Sequence, residues 1–179
     1  VRGDKIAFGL GAIKGVGESA VGAIAAEREA NGVFKSIFDL AERCDPKAVT
    51  KGVIELLVKA GACDSFGGRR AQLFSVVERA VQGAASILRD KQRGQKNLFG
   101  GDDEESTENG APITQVLPEM PEWPHREKNN YEKEAFGFYL TSHPLTEVAT
   151  ELAAYATHQR EQLVDLEDGV EVILGGMIS

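Results

Sequence analysis

The sequence predicts a mainly α fold: a tandem helix-hairpin-helix domain, a flexible acidic linker, further helices and one C-terminal strand. Three observations point there. A pattern of helix, small-residue turn and helix occurs twice, about 45 residues apart. Apolar residues recur at helical spacing on both sides of each turn. Between residues 93 and 125 that periodicity gives way to Gly, Pro and acidic residues.

The first copy spans Leu10 to Ala20 and reads as a short helix, a tight Gly15-Val16-Gly17 hairpin and a second helix. Gly15 and Gly17 can supply φ > 0 and a surface free of side chains. The first amides of the second helix have no partner within it, and the helix dipole adds to their pull on an anion. Lys14 places a mobile positive charge beside them. Lys14, Gly15, Val16, Gly17 and Glu18 are therefore candidate contacts to a nucleic-acid backbone, holding phosphate without reading bases. The same residues also fit a plain helix–helix corner whose glycines only permit the turn.

Beyond this hairpin the apolar face continues through Val21, Ile24 and Ala25, and Asn31-Gly32 ends the helix. Ser36 reads as an N-cap, and Asp45-Pro46 breaks the next helix at Cys44. A third helix follows Thr50, with Val53, Leu56, Leu57 and Ala60 on one side. Gly61-Ala62-Cys63-Asp64 makes the second turn. A long helix then runs from about Arg69 to Asp90, with Leu73, Val76, Val77, Ala80, Val81, Ala84, Ile87 and Leu88 toward the core. In this degenerate copy Gly61, Ala62, Arg69 and Arg70 are candidate phosphate contacts. The two arginines read equally well as solvated surface charges.

From Arg93 to His125 lies the linker, with the acidic run Asp102-Asp103-Glu104-Glu105 and four prolines. A helix resumes from about Arg126 to Leu140, broken by Thr141-Ser142-His143-Pro144. Leu145, Val148, Leu152 and Tyr155 form the apolar side of the next. Val170 to Ile178 is strand-like by its β-branched content. The chain starts on Val1 without Met and stops on Ser179 inside that strand, so it reads as a piece of something longer. A strand with no ladder partner of its own is expected to behave as a tail.

The net charge of −8 conceals a split. Residues 1–99 carry 16 Lys+Arg against 11 Asp+Glu, and residues 100–179 carry 4 against 17. A basic contact surface joined to an acidic segment fits that division, as does a solvated acidic linker without a partner. Cys44 and Cys63, with no secretory signal, point to reduced thiols in a cytoplasmic protein. His125, His143 and His158 form no metal-ligand spacing. No apolar run reaches the roughly 18 residues of a membrane span.

Within the linker, Gln95-Lys96-Asn97-Leu98-Phe99 has the form Gln-x-x-Leu-Phe. An amide and two adjacent apolar anchors in a polar segment suit docking into a partner's pockets.

Taken together, Phe8 to Gly17, Leu57 to Ser65, Gln95 to Phe99, and Glu132 to Leu145 resemble the C-family replicative DNA polymerases of bacteria, the polymerase III alpha subunits. The resemblance covers essentially the whole chain. It implies a tandem helix-hairpin-helix domain at 1–92 that grips duplex DNA, and a linker at 93–125 whose Gln95 to Phe99 stretch binds the sliding clamp. It further implies a helical connector at 126–160 and the start of a truncated OB domain at 161–179. The family's catalytic Asp residues, with their Mg2+, lie in a palm outside this stretch, so no catalytic residue, metal or cofactor is assigned here. Its partners would be duplex DNA, the clamp and other holoenzyme subunits, near the bacterial nucleoid. Cys63, where a larger apolar residue is expected, and the acidic Gly-rich insert after Phe99 depart from the family. The rival reading is a helix-hairpin-helix module of a repair or recombination protein without polymerase activity; a third is a structural domain that touches no DNA.

Overall fold

The computed structural model describes residues 8–92, 107–108, 111–112 and 115–176. Six α-helices dominate it: α1 Glu18–Asn31, α2 Ile37–Arg43, α3 Lys51–Lys59, α4 Arg70–Gln92, α5 His125–Phe136 and α6 Ala149–Tyr155. A two-residue antiparallel ladder pairs Thr107–Glu108 with Ala111–Pro112.

Local chemistry sets most of the boundaries. The Ser36 hydroxyl accepts the Asp39 amide at 3.1 Å, and the Asp39 carboxylate accepts the Lys35 amide at 2.8 Å, fixing the start of α2. Thr50 caps α3 in the same way through the Val53 amide. α2 stops at Cys44, ahead of Asp45-Pro46. α5 ends sooner than the sequence pattern suggests, at Phe136 instead of Leu140. Gly137 takes the left-handed conformation, and its amide returns to the Lys133 carbonyl at 2.8 Å.

The core lies between α2, α3 and the first half of α4. Ile54, Val58 and Val77 are completely buried, and Leu73, Val76 and Ala80 nearly so. Each fully buried Ile or Val contributes about 1.5–3 kcal/mol. The first hairpin joins this core through Ile13, Val16, Ala20 and Ile24. Val81 and Ala84 pack against its edge, no described residue of α4 beyond Ala84 joins it, and Leu88 is exposed. α4 has 23 residues and α3 only nine, lengths of about 34 and 14 Å, so α4 outruns its cover.

The linker assignment needs correction at its C-terminal end. Residues 115–124 lie along α4 as an extended strap. The carbonyls of Val116, Pro118 and Met120 accept from Arg79 (2.9 Å), Gln72 (2.7 Å) and Arg69 (2.7 Å) in turn. Leu117 packs against the core over Gly68. Trp123 meets Phe74 and Tyr131 edge-on, at centroid distances of 5.5 and 4.7 Å. The Lys59 ammonium sits over both of those neighbouring rings. Apolar side chains at Leu117 and Trp123 give this stretch a binding energy that its prolines and polar neighbours conceal.

α5 is likewise part of the first unit and not of a separate connector. Ala135 is buried in the common core, and its carbonyl accepts the Lys14 amide at 2.8 Å. The boundary expected at residue 126 therefore falls within one packed body. Over its described part, residues 170–176, the expected C-terminal strand has no regular secondary structure. Ile173 instead pairs with Thr157, donating to its hydroxyl at 2.9 Å and accepting from its amide at 3.0 Å. A strand needs a ladder neighbour, and none lies beside it among the described residues.

Candidate nucleic-acid interface

The first hairpin is built by alternation. Ile13 and Val16 point inward, 3% and 7% exposed, while Lys14, Gly15, Gly17, Glu18 and Ser19 face outward. The Val16 amide closes the turn on the Ile13 carbonyl at 3.1 Å. Val16 therefore anchors the turn, and neither its amide nor its side chain is available to a ligand. Gly15 has φ +85°, and a Cβ there would stand 2.8 Å from Leu56 Cδ1. The positive φ requires glycine, and a Cβ would in addition push the tip of Leu56 aside. Gly17 differs from expectation: its φ of −75° is ordinary, and it serves as the N-cap of α1. An added Cβ would meet nothing closer than Ser19 Oγ at 3.9 Å, so the space outside Gly17 is open.

α1 begins with no side-chain cap. The Ala20 and Val21 amides both reach the Gly17 carbonyl at 3.1 Å, whereas the Glu18 and Ser19 amides have no acceptor among the described residues. Two unpaired N–H groups at the positive end of a 14-residue helix are the kind of site that suits an anion. Lys14, exposed and three residues ahead of Gly17, has its backbone tied to α5 and its Nζ beside Gly137. The Glu18 carboxylate is exposed and complements the helix dipole.

The second hairpin is constructed otherwise. Gly61, at φ +77°, donates to Val58, Ala62 donates to Leu57, and Asp64 donates to Gly61. These turn amides are consumed internally. The face of Gly61 is covered by the Arg70 guanidinium, which occupies the place where a Cβ would sit. Arg70 is 8% exposed; it donates to Asp64 at 2.7 and 2.9 Å and to Glu132 at 3.0 Å. It is therefore a buried structural cation and cannot reach phosphate. Arg69 is exposed, but one arm is held by the Met120 carbonyl.

The start of α4 is already occupied by an anion. Glu122, on the strap, accepts the Arg70 and Ala71 amides at 3.1 and 3.0 Å, along with its neighbour Trp123 at 3.0 Å. Burial pushes its pKa up, but the amides of Ala71, Trp123 and Arg70 outweigh this and hold it below the usual carboxylate range. In the second copy a carboxylate of the chain itself thus takes the first amides of the following helix.

Glu132 organises the segment that follows. Completely buried, it accepts from Arg70, from the Leu140 and Thr141 amides at 3.1 and 2.8 Å, and from the Thr141 hydroxyl. Burial raises its pKa, and bonds from Thr141, Arg70 and Leu140 lower it further than burial raises it. Ser142 donates to Asn129, which is also buried. Cys63 is a core residue, its thiol pushed up to about 12 by burial.

Gln95 to Phe99 lie outside the described residues. Among the described residues no group of three or more His, Cys, Asp or Glu could hold a metal ion. No described helix is long and apolar enough to cross a membrane.

Residues 1–73 match a family profile described as a helix-hairpin-helix motif. The chain is similar to the DNA polymerase III subunit alpha of Vibrio cholerae, 35% identical over 173 residues, covering 97% of this chain and 15% of that protein. The same-named protein of Saccharopolyspora erythraea is 37% identical over 181 residues, covering 99% of this chain and 15% of its own length. That of Escherichia coli is 33% identical over 175 residues, with 97% and 15% covered. The chain spans about 15% of the length of the curated relatives it matches.

Proposed function

Because this chain fits a fragment of the DNA polymerase III alpha subunit over nearly its whole length, we propose that it is the part of such a polymerase that holds duplex DNA by its backbone. The carrying observation is the outward, uncapped start of α1, with the Glu18 and Ser19 amides and Lys14 around one open corner. Contacts of this kind see phosphate, so binding is non-specific in sequence and weakens with salt through counterion release. The parent would carry out template-directed DNA synthesis in the bacterial cytoplasm, by nucleotidyl transfer at carboxylates and Mg2+ in a palm outside this stretch. This segment contributes grip on DNA and, through Gln95 to Phe99, attachment to the sliding clamp. The Arg69, Arg70 and Ala71 amides at the start of α4 already have acceptors within the chain, so the second hairpin supports the first instead of duplicating it.

Lys14→Glu, which reverses a charge at the corner, is expected to lower duplex affinity about tenfold or more at low salt, equally on unrelated sequences. Gly17→Val, placing a branched side chain over the open corner, is expected to act in the same direction with the helical circular dichroism unchanged. Fluorescence anisotropy on two unrelated duplexes checks both. Wild-type affinity in both variants would reduce the hairpin to a corner of the fold.

A further inference from the structure

An aromatic surface adjoins the first hairpin and is not used by the phosphate corner. Phe8, Phe136 and Phe138 form a closed trio with centroid distances of 5.7 to 6.0 Å, gathered around the end of α5. Phe8 and Phe138 are 46% and 44% exposed, well above what a core contact leaves. Phe8 and Phe136 also line a cavity of about 320 Å³ that opens between the two hairpins, beside Ile13 and Gly61. Two cations border the trio. Lys14 Nζ lies beside Gly137, and Lys133, exposed, sits over the Tyr139 ring at 5.4 Å.

Apolar rings edged by cations suit an occupant that is flat, aromatic and attached to an anion. A nucleobase on a phosphate backbone has those properties, whereas the face of an aliphatic protein segment has no use for the lysines. Lys14, assigned above to the phosphate corner, has its Nζ beside Gly137, the residue between Phe136 and Phe138, so one lysine links the backbone contact to the rings. Inside a duplex a base is stacked and paired; only an unpaired base is free to turn onto a ring. Resting on the phosphate-corner reading above, we propose that Phe8, Phe136 and Phe138 form a stacking platform for an unpaired nucleobase at a junction of double- and single-stranded DNA.

The test compares a blunt duplex with the same duplex carrying a three-nucleotide overhang, using the 179-residue chain. Wild type is expected to bind the overhang about five- to tenfold more tightly, the contribution of one stacked base. A 2-aminopurine in the first overhang position should be quenched on binding. Phe138→Ala should remove both the preference and the quenching while leaving blunt-duplex affinity unchanged; Phe138→Trp should retain them. Equal wild-type affinity for the two DNAs would overturn the proposal and leave this face for protein contact. So would a Phe138→Ala variant that keeps the preference, or one that loses affinity equally for both. Failure of the underlying reading is separately visible: Lys14→Glu would then leave blunt-duplex binding untouched.

Discussion

Arg70→Met should destabilise the fold by on the order of 3–5 kcal/mol, the loss typical when one member of a buried ion pair is removed. The substitution fills similar volume but leaves Glu132 completely buried without its cation. Gly61 is also affected, since its bare face is where the guanidinium rests. Glu132→Gln should cost less, because the Gln carbonyl still accepts from Thr141 and Leu140. Asp64→Asn should cost under about 1 kcal/mol, as that carboxylate is half exposed and its attraction is screened. Urea or thermal melts of the three variants would rank them Arg70→Met, Glu132→Gln, Asp64→Asn. An Arg70→Met melt matching wild type would mean the network holds nothing together.

The same network sets a pH dependence. The Glu132 and Glu122 carboxylates have folded-state pKa values below their ordinary ones. Their stabilisation is therefore present above the unfolded value, about 4.3, and is lost as pH falls through the folded value. Melting temperature should decline on acidification below about pH 4.3, with a shallower decline in Glu132→Gln.

The second large effect concerns the linker. Gln95→Ala, Leu98→Ala and Phe99→Ala together should weaken sliding-clamp binding at least about a hundredfold, since two apolar anchors and an amide are removed at once. The melting temperature should not move. Gln95 follows the last residue of α4 by three positions, and α4 has already left the core by exposed Leu88. Surface plasmon resonance on immobilised clamp, paired with a thermal melt, separates the outcomes. A fall of several degrees would place these residues in the core, and unchanged clamp affinity would remove the docking role.

What was legible in the sequence was local. Ser36 and Thr50 cap within three residues of themselves, and Asp45-Pro46 stops a helix at the adjacent position, so α2 and α3 emerge from neighbours alone. The outward face of the first hairpin follows from alternation of Lys and Gly with Ile and Val. Long-range partners were not legible. Glu122 meets the Arg70 and Ala71 amides across 52 and 51 residues, and Glu132 meets Arg70 across 62. An arginine near a helix start looks the same in sequence whether it faces a phosphate or a buried glutamate. The strap was obscured by composition: its prolines and acids read as linker, whereas Leu117 and Trp123 dock it. The end of α5 was misread because an apolar run, Phe138 to Leu140, continues past the glycine that stops the helix.

If the first hairpin, and not the second, holds DNA, the two turns will respond differently to a bound duplex. Titrating a short duplex into the 15N-labelled chain and following backbone amides tests it most directly. Saturable shifts are expected at Lys14, Gly17, Glu18 and Ser19, with Gly61, Ala62, Arg70 and Ala71 unmoved. Shifts centred on the start of α4, with the first hairpin silent, would contradict it.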